Sequence, residues 1–165
     1  MKQTGQVRVA VPADVATLVE LAARRRVQYH VYQPRFWQPA DDAVERQRQF
    51  FDALVEDEGV AVLVATGGPG NLRGFAVART VDAPPVYAPG GPTCMVDDFT
   101  VSADAVWPEV GPLLLEAVVR WAAGRGATQL VVVTAHLDEA KRRLLRTSGL
   151  SLASEWWVGD VTRPD

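Results

Sequence analysis

The sequence predicts an α/β fold in which a mixed central sheet carries helices on both faces. Three observations predict it. Stretches of strand periodicity and of helical periodicity follow one another in the order β-α-α-β-β-β-α-β-α-β. The turn-forming run Gly67-Gly68-Pro69-Gly70-Asn71 joins two of the strands as a hairpin, which makes that half of the sheet antiparallel. In the second half, strand, helix and strand succeed each other, and that requires a parallel crossover.

Taken in order, residues 6–11 alternate polar and apolar, as a half-buried strand does. Pro12 then suits a helix entry, and Asp14 falls in the first turn, where the helix dipole favours a carboxylate. Val15, Leu18, Val19 and Ala22 recur at helical spacing, so a first helix is expected to about Arg26. Residues 27–39 are aromatic and broken by two prolines, which predicts a structured loop. A second helix is expected over residues 40–57, with Val44, Gln47, Phe51, Leu54 and Val55 inward. Strands follow at residues 60–65 and 72–81, then a Pro/Gly loop at 83–92, then a strand at 93–101. The apolar stripe Leu114, Ala117, Val118, Trp121 and Ala122 predicts a helix over residues 107–124, ended by Gly124 and Gly126. The β-branched run at 127–135 reads as a fully buried strand. A basic amphipathic helix over 137–148 and a closing strand over 150–161 complete the chain; Trp156 and Trp157 face opposite sides of that strand, so one of them is expected in the core.

The chain has 165 residues, enough for one domain (1–165) with a sizeable core. At 48% hydrophobic and 22% charged it has an ordinary globular composition. A net charge of −3 argues against a nucleic-acid partner, because phosphate-backbone binding needs clustered positive charge. Arg24-Arg25-Arg26 reads as a solvated helix end. No apolar run approaches the length of a membrane span, and no signal core opens the sequence. The lone Cys94 cannot form an internal disulfide, so a reducing cytoplasm fits. Two histidines and one cysteine leave too few ligands for a structural zinc site, and no metal is expected.

Four local phrases carry a family likeness. They are Val7-Arg-Val-Ala-Val-Pro-Ala-Asp14, Arg73-Gly-Phe-Ala-Val77, Asp98-Phe-Thr-Val-Ser102 and Leu144-Leu-Arg-Thr-Ser-Gly-Leu150. Together with the element order, over residues 6–161, the chain resembles the GNAT superfamily of N-acetyltransferases. The resemblance implies acetyl-CoA or another acyl-CoA as co-substrate. It also implies that the fourth and fifth strands splay apart and that pantetheine lies between them, bonded to backbone near Phe99, Thr100 and Val101. The pyrophosphate would sit at the start of the next helix, over Val106, Trp107, Glu109, Val110 and Gly111.

The chain departs from the family pattern in two places. Where the family has Arg/Gln-x-x-Gly-x-Gly/Ala, this sequence reads Val106-Trp107-Pro108-Glu109-Val110-Gly111, and only Gly111 fits. Glu109 adds a carboxylate beside the expected phosphates unless it points outward. The family's Asn, Ala and Tyr before the final Gly correspond to Asp138, Lys141 and Leu145, so the resemblance implies Asp138 as a cofactor-binding residue, and the tyrosine that protonates the leaving thiolate is absent. A thiol pKa near roughly 8.5 means that turnover does not strictly require that acid.

Transfer to an amine needs a base and a stabilised oxyanion. Asp97 and Asp98 are adjacent in a central strand, where ionised groups need partners, so one is a candidate base and both could instead bind backbone amides. Strand alternation puts them on opposite faces, with Asp97 sharing the face of Phe99 and Val101, and Asp97 is slightly favoured. His136, at the end of the fifth strand, is a candidate proton relay or a helix cap. Tyr29, Tyr32 and Trp37, with Trp156, could wall an acceptor pocket or simply pack. Glu155 and Asp160 could attract a cationic amine. The expected activity is direct acyl transfer to a small-molecule primary amine. A non-catalytic CoA-binding or regulatory module is the alternative. Tryptophans on the last strand make a homodimer plausible.

Overall fold

In a computed structural model, which describes residues 5–162, five strands form one sheet in sequence order. They are β1 (Gln6–Val9), β2 (Val60–Thr66), β3 (Leu72–Val81), β4 (Thr93–Val101) and β5 (Gln129–Val132). β1 to β4 pair antiparallel, and β4 pairs β5 in parallel. The described residues also form four α-helices: α1 (Val15–Tyr32), α2 (Ala43–Glu56), α3 (Trp107–Ala123) and α4 (Glu139–Thr147).

Each face of the sheet has its own apolar layer. Leu18, Val19 and Ala22 of α1 and Phe51 of α2 pack with Val62, Val64, Phe75 and Val77. On the other face Val110, Leu114 and Val118 of α3 and Leu144 of α4 pack with Ala76, Val96 and Phe99. This alternation along β2 and β3 follows from the two-residue period of a strand. Arg8 donates twice to Asp14, at 2.6 and 2.9 Å, and Val11 N–H bonds the same carboxylate at 2.8 Å. That network fixes the entry to α1.

Four expectations are corrected. α1 runs past Arg26 to Tyr32, because its inward face continues through the buried Tyr29 and a Gln28–Tyr32 side-chain bond spans one further turn. Val44 is exposed, and α2 is anchored by Phe51 instead. The run at 127–135 is not a fully buried strand. β5 is a short, half-buried strand at the sheet edge. It is an edge because residues 150–161 form no strand.

That last segment crosses to the loop after α1. Arg35 Nε donates to Gly159 O at 3.1 Å, Arg35 pairs with Asp160, and Phe36 meets Trp156 edge-on at 6.3 Å. Neither tryptophan enters the core; Trp156 is 85% and Trp157 90% exposed. Two adjacent bulky rings on opposite faces need cover on both sides, and a four-residue β5 offers too short an edge to hold them.

Candidate active site

β4 and β5 are hydrogen-bonded only at one end. Their register runs from Thr93↔Gln129 to Val96↔Val132, and Val133 N–H closes it on Val96 O at 3.0 Å. Beyond Val96, β4 continues to Val101 with no strand partner on that edge among the described residues. β5 turns away through residues 133–138 into α4. The result is a wedge whose apex lies at Val96 and Val133 and whose mouth faces the start of α3.

The apex coincides with an irregularity in β4. Val77 pairs Asp98 while Ala78 pairs Val96, so Asp97 is an extra residue, a β-bulge. The bulge corrects the expectation of opposite faces. Phe99 and Val101 face α3, whereas Asp98 reaches α1, where it pairs with Arg25. Asp97 accepts from Arg79 Nη2 at 2.8 Å, and Arg79 lies on the Val77 face of β3. Asp97 therefore does not share the face of Phe99 and Val101. Both carboxylates meet guanidinium groups on the α1 side, Asp98 half-buried and Asp97 exposed.

A buried polar cluster lies beside the apex. The Tyr29 hydroxyl donates to Asp138 Oδ2 at 3.0 Å, and the Lys141 backbone N–H donates to Asp138 Oδ1 at 3.2 Å, capping α4. The Lys141 ammonium, 0% exposed, donates to Val133 O at 2.8 Å and stands 5.5 Å from the Phe99 ring centroid. Burial pushes the Lys141 pKa down to about 7; Arg25 adds to the fall, and Asp138 and Asp98 oppose it. Burial likewise raises the Tyr29 hydroxyl above its usual value, aided by the Asp138 carboxylate. Arg25 sits 5.4 Å from the Tyr29 ring centroid and links this cluster to Asp98.

At the mouth, a 3-10 turn (Asp104–Val106) leads into α3. Trp107 and Val110 are buried; Trp107 meets Phe99 edge-on at 5.0 Å. Gly111 lies within α3, where a Cβ would come 2.5 Å from Leu144, so its lack of a side chain serves the contact between α3 and α4. Glu109 is held by Arg73 of β3 at 2.5 and 2.7 Å, which neutralises the carboxylate at the helix start. Thr100 is buried on the α1 side, and Val106 is half-buried.

The other expected residues divide into two groups. His136 is exposed in the turn between β5 and α4, two residues before Asp138. Tyr29, Tyr32 and Trp37 do come together, with ring centroids 5.9 Å apart for the first pair and 4.9 Å for Tyr29 and Trp37. Phe36 extends the aromatic row from Trp37, at 5.1 Å, to Trp156. Cys94 is buried, and burial raises its thiol pKa, which disfavours the nucleophilic thiolate.

Sequence reasoning missed Arg25, Arg73, Arg79 and the burial of Lys141. Only Lys141 left a signal, because positions 141, 144 and 145 share one helical face. A hollow of about 470 Å³ lies at the opposite end of β4 and β5, among Tyr87, Met95 and Val131. It lies on the closed side of the apex, and neither Asp97 nor Asp98 lines it. No group of three or more potential metal ligands occurs among the described residues. No described helix is long and apolar enough to cross a membrane.

No family model matches the chain, and no curated protein matches it. Solved structures do. A predicted acetyltransferase from Clostridium acetobutylicum, solved with acetyl-CoA, superposes with a TM-score of 0.73 at 16% identity, covering 94% of this chain and 96% of its own. An aminoglycoside N-acetyltransferase, AAC(6')-Iy, solved with CoA, gives 0.70 at 15% identity, covering 95% and 94%. The BH1408 protein from Bacillus halodurans, as a tetramutant, gives 0.81 at 16% identity over 94% of this chain and 99% of its own. The fold is that of the GNAT-type acetyltransferases, at a low level of sequence identity.

Proposed function

We propose that the protein is an acyl-CoA-dependent N-acyltransferase that moves an acetyl or other acyl group directly to the primary amine of a small molecule. The observation that carries this reading is the wedge between β4 and β5, open from Val96 towards the start of α3. An extended pantetheine arm could bond the unpartnered edge of Asp97–Val101, with its pyrophosphate near the 3-10 turn and the first turn of α3. Two of the structural neighbours were solved with CoA or acetyl-CoA, which supports that choice of co-substrate.

Asp97 is the proposed base. It stands at the bulge beside the apex, half-exposed, and its partner Arg79 is also exposed, so little free energy is needed to open the pair. Asp98 is clamped by Arg25 in a drier setting and fits a positioning role. Backbone N–H groups at the bulge would stabilise the oxyanion. The aromatic row Tyr29, Tyr32 and Trp37, extended by Trp156, fits one wall of the acceptor pocket. His136 fits a proton relay to solvent from the turn beside the wedge.

The 165 residues are read as one domain working in a reducing cytoplasm, consistent with the lone buried Cys94. The exposed Trp156 and Trp157 beside a short edge strand support a homodimer through the C-terminal segment. Thiol release from acetyl-CoA across a library of primary amines tests the catalytic reading. Amine-dependent release, lost on Asp97→Asn with folding intact, is expected. Bound CoA with no release for any amine would leave a non-catalytic CoA-binding module.

A further inference from the structure

The wedge is not empty of protein chemistry. The Lys141 nitrogen bridges its diverging sides, 2.8 Å from Val133 O on the β5 side and 5.5 Å from the Phe99 ring on the β4 side. A primary ammonium has three N–H donors, and Val133 O takes one. The Phe99 ring face is a weak acceptor for a second. Lys141 is fully buried, so an arm lying in the wedge with its sulfur towards the apex would meet this nitrogen by displacing its contact with the Phe99 ring. No tyrosine stands at position 145 to serve that sulfur; Leu145 does.

Resting on the acyl-CoA reading above, we infer that Lys141 is the catalytic cation for the coenzyme sulfur: its ammonium receives the leaving thiolate and holds it as an ion pair. In the step, the amine nitrogen bonds the thioester carbon, the carbon–sulfur bond breaks and its electron pair goes to sulfur. Lys141 Nζ keeps its proton beside that sulfur, and solvent protonates the thiolate as CoA leaves. The new amide nitrogen sheds one proton to the base and solvent.

The charged and titratable groups around Lys141 are compatible with this role. Arg25 of α1 repels its positive form, Asp138 before α4 and Asp98 of β4 support it, and Tyr29 of α1 closes the cluster through Asp138. A thiolate arriving in the wedge adds a third negative neighbour. The ammonium and the thiolate then stabilise each other and titrate as a pair.

The test uses the full chain and CoA itself, with no acceptor. The ultraviolet absorbance of the thiolate is followed against pH for free and bound CoA. With the wild type, bound CoA should hold about tenfold more thiolate than free CoA near neutral pH, the effect of an opposite charge in contact. Lys141→Met and Lys141→Gln should each return the bound thiol to the behaviour of free CoA while still binding it.

If wild-type-bound CoA titrates like free CoA, the inference is wrong while the CoA-binding reading stands. If the shift persists in both variants, another group is the cation. If CoA does not bind the wild type at all, both readings fall. The wild-type titration decides the first point even where a variant does not fold.

Discussion

Lys141 is the residue whose stability effect is easiest to isolate. In the folded chain its ammonium is fully buried and its pKa falls to about 7, against an ordinary 10.5. Between those values the unfolded chain holds a proton that the folded chain has released. Stability therefore rises with pH across that window, and below about pH 7 the folded state bears the whole cost of the buried charge. Lys141→Met removes this dependence. Denaturant titrations should show the variant gaining on the wild type by on the order of 3 kcal/mol at pH 6, with the gap closing towards pH 9. A gap independent of pH would mean that the lysine keeps its proton in the folded chain as it does in the unfolded one. The burial of this residue went unread, although position 141 shares a helical face with Leu144 and Leu145. The guanidinium partners of Asp97 and Asp98 were not, because each pairing joins residues far apart in the chain, as Arg25 and Asp98 show.

At the scale of elements, the contact between α3 and α4 sets the mouth of the wedge. Gly111 lets the two helices approach, with Leu144 and the Trp107 ring within 2.5 and 3.0 Å of where a Cβ would stand. Gly111→Ala gains helix propensity of about 1 kcal/mol but must displace a buried leucine and a rigid ring, which costs about 1–3 kcal/mol. Urea unfolding should show a net loss of about 1 kcal/mol, and a gain would mean that the helices separate freely.

Periodicity located all four helices and five of the six expected strands. It failed where tertiary contacts overrule it. The extra turns of α1 are held by the packing of Tyr29, and a β-bulge adds one residue without changing composition, so alternation assigned Asp97 to the wrong face. The segment at 150–161 has strand-like residues, but its contacts go to Arg35 and Phe36 rather than to β5.

On the scale of the whole molecule, the exposed tryptophans and the wedge make separate predictions. If two copies associate through the C-terminal segment, sedimentation should give a dimer for the wild type and a monomer for the double variant Trp156→Ser, Trp157→Ser. A wild-type monomer at micromolar concentration would remove the dimer without touching the site. The wedge itself depends on two parallel strands that part after four pairs and so expose backbone along Asp97–Val101. Amide NMR during a CoA titration tests this most directly. The account predicts saturable shifts confined to residues 97–107 and 133–141, the two sides of the wedge and the entry to α3. Saturating CoA that leaves those amides unmoved would contradict it.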